Sequence, residues 1–139
     1  MQLKEKKMKL NSKSLPVKAT PEKIFTLTTN CRNFGNFLPE QVSDWEASDD
    51  YCKFSFQGMV TLTLRITEKV EFSKVVFEAE NNHRIPVIFI IHIDGETDES
   101  TIAVETQIEV PIYLSAMVKK PLQTFVDMVA EKIKTEAEK

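Results

Sequence analysis

The stretch YLSAMVKKPLQTFVDMVAEKIKTEAEK, from Tyr113 to Lys139, decides the fold of this chain. At the helical step of about 100° per residue, Val118, Leu122, Phe125, Val126, Val129 and Ile133 fall in one sector, bordered by Met117, Pro121 and Met128. The opposite sector carries Lys120, Gln123, Asp127, Glu131 and Lys134. A long amphipathic helix with so wide an apolar face must bury it against an extended partner. Pro121 lies inside the pattern, where it withholds an amide proton from the carbonyl of Met117 and crowds the preceding turn. It predicts a kink, or a first turn only loosely joined to the rest.

The partner comes from the chain before it, which between about Val42 and Val110 reads as six strands in succession. Val42 to Ala47 alternates imperfectly around Trp45, and Ser48-Asp49-Asp50 turns the chain. Tyr51 to Gln57 then places Cys52, Phe54 and Phe56 on one face and Lys53, Ser55 and Gln57 on the other. Beyond Gly58, Val60, Leu62, Leu64 and Ile66 alternate with threonines and Arg65. After a turn near Phe72-Ser73 the fourth strand shows Val75, Phe77 and Ala79 on one face, and Asn81 to Arg84 turns the chain again. The fifth, Pro86 to Asp94, is apolar on both faces, with Phe89 on one and Ile88, Ile90 and His92 on the other. Such a strand belongs in a central or doubly covered position. In the sixth, Ile102, Val104, Thr106, Ile108 and Val110 face inward and Pro111 ends the run.

Upstream, residues 3 to 17 read as one strand ending at Pro16 or Val17. Thr20-Pro21-Glu22 opens a helix: threonine caps the first amides, proline suits the first turn and glutamate suits the positive end of the dipole. This helix gives way near Asn30. Cys31 to Leu38 predicts a second short helix carrying Phe34, Phe37 and Leu38, closed by Pro39.

The 139 residues, 42% of them hydrophobic, are enough for one domain spanning 1–139 with a substantial core. A net charge of −3 with no lysine- or arginine-rich face argues against nucleic acid as a partner. Cys31 and Cys52 show no disulfide framework, and the lysine-rich start lacks the apolar segment of a signal peptide, so a cytoplasmic location is expected. The longest apolar run, Val87 to Ile91, is far too short to span a bilayer.

One strand, two short helices, six antiparallel strands and a long C-terminal helix resemble the helix-grip fold of the START and pollen-allergen superfamily, also called SRPBCC. The resemblance covers nearly the whole chain. It is strongest to small bacterial SRPBCC proteins related to polyketide cyclase/dehydrase and lipid-transport domains. The residues that carry it are Val17-Lys18-Ala19-Thr20-Pro21-Glu22-Lys23-Ile24-Phe25, Asn33-Phe34 through Leu38-Pro39, and Lys119-Lys120-Pro121-Leu122 with Phe125. It implies an α+β architecture in which a curved antiparallel sheet of about seven strands wraps around the helix. It also implies a cavity between the two, which in many such proteins takes a hydrophobic or lipid-like ligand, while fold alone leaves the contents open.

Chemistry is sparse on the inward faces. Thr106 is the one inward polar group on its strand, and a buried threonine is most simply satisfied by backbone. His92 points away from Phe89, and His83 sits in a turn. Two histidines and two cysteines without ligand spacing predict no metal, and dispersed glycines at 35, 58 and 95 predict no phosphate loop or nucleotide cofactor. No catalytic residue is assigned. The residues expected to line a cavity are Phe25, Phe34, Phe37, Leu38, Trp45, Phe54, Phe56, Met59, Phe77, Phe89, Thr106, Met117, Pro121 and Phe125. Pockets of this kind run to about 300–1,000 Å³ with mostly apolar walls, and the entrance is expected near Gly58, Asn82 and the first turns of the long helix.

The expected function is therefore binding of a hydrophobic or amphipathic small molecule, without cofactor. One alternative is a cyclase or dehydratase using the same cavity, with Tyr113 and Thr106 as its candidates. Another is an interaction module docking through an outward patch at Ile88 and Ile90.

Overall fold

The computed structural model describes residues 5–38, 40, 42–56 and 60–139, with Phe56 and Val60 described by backbone alone. The chain runs β1 (Glu5–Asn11), β2 (Leu15–Val17), α1 (Pro21–Thr28), a 3₁₀ helix (Cys31–Asn36), β3 (Val42–Ala47), β4 (Tyr51–Phe56), β5 (Val60–Val70), β6 (Lys74–Asn81), β7 (Val87–Gly95), β8 (Ser100–Pro111) and α2 (Ile112–Ala137). The strands form one curved antiparallel sheet in the order β1-β8-β7-β6-β5-β4-β3, with β2 also paired to β8. Six strands follow one another as a meander, and the N-terminal segment closes the sheet beside β8. This is a helix-grip α+β fold.

The single N-terminal strand expected from the sequence is divided in two, which raises the count of strands in the sheet to eight. Asn11 pairs with Glu105 and Leu15 with Ile102, so three residues on one side face two on the other. Ser12 bridges the mismatch: its amide donates to the carbonyl of Val104 (2.8 Å), and its Oγ accepts the Val104 amide (2.8 Å). A side-chain oxygen thus takes the place of a missing ladder carbonyl, and Ser12 is buried as a result.

The Thr20-Pro21-Glu22 signature acts as its chemistry predicts, with Thr20 Oγ1 accepting the Lys23 amide at 3.0 Å. The second short helix is a 3₁₀ turn, capped by Asn30 Oδ1 on the Arg32 amide at 3.0 Å. Gly95 closes the β7–β8 turn. A Cβ there would lie 2.5 Å from the carbonyl oxygen of Glu99, so no other residue fits without moving backbone.

Helix α2 continues through Pro121 without interruption. It packs on β1, β2, β8 and α1. Val126, Val129, Ala130, Ile133 and Ala137 are buried, a spacing of three or four residues along one face. The small Ala130 and Ala137 let the helix approach the sheet closely. Polar ties hold its far end: Lys134 Nζ donates to the carbonyl of Pro16 (2.6 Å), and Glu138 Oε2 accepts both the Lys18 amide and Lys134 Nζ (each 2.9 Å). These bonds hold the Glu138 carboxyl below the ordinary glutamate range, the Lys18 amide contributing most.

The first turns of α2 are different. Ile112, Tyr113 and Met117 are 52%, 65% and 70% exposed. This half of the helix therefore gains less from burial than the half that begins at Val126.

Candidate functional site: an aromatic-walled cavity under the helix

Between sheet and helix lies a cavity lined by Phe34, Phe37, Leu38, Leu64, Phe77, Phe89, Ile91, Val104, Phe125 and Val129. Every wall residue is apolar. The walls come from distant parts of the chain, and register brings them together: Phe77 pairs with Phe89 across β6–β7, and Ile91 with Val104 across β7–β8. Phe34 descends from the 3₁₀ helix, with ring centroids 4.9 Å from Phe77 and 5.3 Å from Phe37. From above, Phe125 of α2 meets Phe89 at 5.5 Å.

The cavity measures only about 30 Å³, room for two or three waters at roughly 10–15 Å³ each. The roomy chamber expected from the sequence is not present in this conformation, because the aromatic rings that should wall it meet one another across it. Two larger depressions, of about 420 and 470 Å³, open around the Pro86–Ile88 segment and share no lining residue with this cavity.

Six of the fourteen residues expected at the cavity line it: Phe34, Phe37, Leu38, Phe77, Phe89 and Phe125. Phe25 turns instead to the β5–β6 turn, where it meets Phe72 edge-on at 5.7 Å. Phe72 has a φ of 61°, a conformation sparsely used by bulky residues. Trp45 is 39% exposed and stacks at 6.4 Å on Phe54, which is fully buried and does not line this cavity. The reason is a register break in β3 between Ser43 and Glu46, with Asp44 at a φ of 56°, which turns the indole toward Gly35. Thr106 is wholly buried and donates its hydroxyl to the carbonyl of Ile88 at 3.1 Å. Met117 and Pro121 lie on the exposed side of α2. Met59, Gly58 and the side chain of Phe56 lie outside the described residues, as does Pro39. Leu64, Ile91, Val104 and Val129 line the cavity but were not among the expected residues, although each lies in the inward phase of its strand or helix.

A second cluster, on the outer face of the sheet, escaped the sequence reading. Glu105 is 4% exposed although it alternates with inward residues. Its Oε1 lies 2.8 Å from His92 Nε2, its Oε2 accepts from Gln107 Nε2 at 2.6 Å, and Lys9 Nζ approaches to 3.7 Å. Burial pushes the carboxyl upward, but the bonds from Gln107 and His92 and the charge of Lys9 outweigh it and hold Glu105 below the ordinary range. Ile90, its ladder partner, is 9% exposed and Ile88 is half-buried, so the outward isoleucine patch expected there is not an open one. The signal was available: a carboxylate opposite an outward isoleucine on a central strand pair has little water around it.

Among the described residues, no three histidine, cysteine, aspartate or glutamate side chains gather as metal ligands, and no helix is long and apolar enough to cross a membrane. Tyr113, a candidate for catalysis, is mostly solvent-exposed.

No family model and no curated protein matches the sequence. Solved structures do match the fold. A START superfamily protein from Mycobacterium smegmatis superposes with a TM-score of 0.73 at 14% identity, covering 94% of this chain and 97% of that one. Truncated norcoclaurine synthase from Thalictrum flavum gives 0.76 at 14% identity, over 98% of this chain and 96% of that one. The same plant enzyme in complex with dopamine and hydroxybenzaldehyde gives 0.72 at 14% identity, over 95% and 87%. At such identities the likeness is one of fold: this chain shares the helix-grip architecture of the START proteins and norcoclaurine synthase.

Proposed function

We propose that this protein binds a small hydrophobic or amphipathic molecule between the sheet and α2, and that the aromatic side chains now meeting there move aside to admit it. The observation that carries the reading is the cavity wall, apolar at every position and placed where a helix-grip fold has its interior. The plant enzyme of the same fold, seen with dopamine and hydroxybenzaldehyde, supports the view that this architecture can receive small aromatic molecules. The half of α2 that begins at Ile112 is less deeply buried than the half from Val126, which makes it the element to yield when a ligand enters. Burial of apolar ligand surface contributes about 25 cal/mol per Å², less the costs of association and of opening the packed interior. Binding is placed ahead of turnover because no wall residue offers a proton donor or acceptor from its side chain.

Displacement of a fluorescent fatty acid by candidate ligands, with native mass spectrometry of the purified chain, tests this reading. Saturable uptake, weakened when Val129→Leu adds bulk to the cavity wall without burying a charge, is the expected result. No uptake by the native chain at micromolar probe would sink it.

A further inference from the structure

The two cysteines, far apart in sequence, meet beside the cavity wall. Both are reduced and wholly buried. Cys31 opens the 3₁₀ helix that carries Phe34, and Cys52 lies on β4, paired with Ala47 and Leu64. The Cys31 segment is laid against the β3–β4 turn by two contacts besides the thiols. Its amide donates to the carbonyl of Asp49 at 3.0 Å, and Arg32 Nη1 lies 3.2 Å from Asp49 Oδ1. The two thiols are neighbours there, each the strongest influence on the other's titration.

We propose that Cys31 and Cys52 form an oxidative modification site, a dithiol pair that a hydroperoxide converts to an intramolecular disulfide tying the 3₁₀ helix to β4. The roles of the two sulfurs differ. The neighbouring Cys52 lowers the Cys31 pKa, while Cys31 and burial push the Cys52 thiol up. Cys31, borne on the short segment that can lift, is the attacking sulfur, and Cys52, held in the sheet, the resolving one. The Cys31 thiolate attacks the peroxide, an S–O bond forms and the O–O bond breaks, and the leaving alkoxide or hydroxide takes up a proton. Cys52 then attacks the resulting sulfenic acid: the S–S bond forms, the S–O bond breaks, and hydroxide departs with the Cys52 proton as water. Two thiols are oxidised and one peroxide is reduced to an alcohol, or water, plus water.

Neither sulfur touches solvent, so the reaction waits for the short 3₁₀ helix to lift from the β3–β4 turn. Lifting this six-residue segment also uncovers Phe34, so opening is the slow step of the oxidation. Once formed, the bond closes a chain loop from 31 to 52 and pins the segment bearing Phe34 against the sheet. The site stands independently of what the cavity binds.

The test uses the full chain exposed to hydrogen peroxide without reductant. Expected are an intact mass lower by two hydrogens, a Cys31–Cys52 cross-linked peptide, loss of both thiols to a titrating reagent after denaturation, and a melting temperature higher by about 5–10 °C. Dithiothreitol should reverse all four. In Cys52→Ser the reaction should stop at a dimedone-trappable sulfenic acid on Cys31, and in Cys31→Ser the remaining Cys52 should react about 10-fold more slowly or less. Two thiols that survive peroxide under conditions that consume free cysteine, oxygen adducts without a cross-link, or disulfides between chains would overturn the proposal. Equal reactivity of the two serine variants would overturn the assignment of roles.

Discussion

His92 Nε2 lies 2.8 Å from Glu105 Oε1, on the outer face of the sheet and diagonally across the β7–β8 ladder. The contact makes a nearly buried carboxylate part of the fold's stability. Glu105 titrates below the ordinary value of about 4.5 in the folded chain. A group whose folded pKa is depressed contributes stability that is present above its unfolded pKa and is lost as pH falls through the folded one. Stability should therefore decline below about pH 4.5. Glu105→Gln should be less stable near neutral pH by about 1–2 kcal/mol and should lose less on acidification. Urea titrations of both proteins at neutral and acid pH measure this; parallel acid losses would remove Glu105 from the account.

Phe125 meets Phe89 across the cavity at a centroid distance of 5.5 Å. Phe125→Ala should cost about 1–3 kcal/mol, less than a fully buried phenylalanine because the ring is only half-buried. The space it vacates adjoins the existing void, so a fluorescent fatty acid should bind the variant more tightly than the native chain. Unchanged binding in a variant of lowered stability would place the ligand elsewhere.

Ser12 Oγ accepts the Val104 amide at 2.8 Å in a buried setting. Ser12→Ala leaves that amide without its partner, at an expected cost of about 1–3 kcal/mol. Ser12→Asn is a useful companion, because its side-chain oxygen can approach the same donor. Denaturant midpoints for the two, with hydrogen exchange at the Val104 amide, decide whether the bridge or mere packing matters.

Charge placed along α2 should sort the helix into halves. Met117→Asp falls on a side chain that is 70% exposed and should leave stability within about 0.5 kcal/mol. Val126→Asp buries a carboxylate at a fully enclosed position and should unfold the protein or cost more than about 4 kcal/mol. Circular dichroism and thermal melts suffice. A large loss from Met117→Asp would mean that the first turns of α2 are packed more firmly than their exposure indicates.

Much of the candidate site was legible because inward phase is written in period-two and period-3.6 patterns. Phe77, Phe89 and Phe125 stand at positions that no alternative register could send outward without exposing their whole face. Leu64, Ile91, Val104 and Val129 carried the same signal, and only the emphasis on aromatic rings passed over them. Trp45 and Phe25 misled for physical reasons. A register break at Asp44 sets the indole of one over Phe54 beside Gly35, away from the cavity, and a left-handed turn at Phe72 offers the other a nearer partner. Met117 belongs to the helical stripe, but α2 rests on β1, β2 and β8, and its opening turns leave that side chain in water.

The sequence by itself determined the order of elements, the cap at Thr20, the inward face of each long strand and the amphipathic helix that the sheet must cover. These follow from local geometry, since alternation and helical spacing depend only on neighbours along the chain. Tertiary structure alone decided how much space is left inside, that Ser12 divides the first strand, that Glu105 is buried and that Cys31 meets Cys52. Each of those depends on the distance between segments remote in sequence, and a cavity volume is a small difference between a large enclosed space and the side chains that fill it.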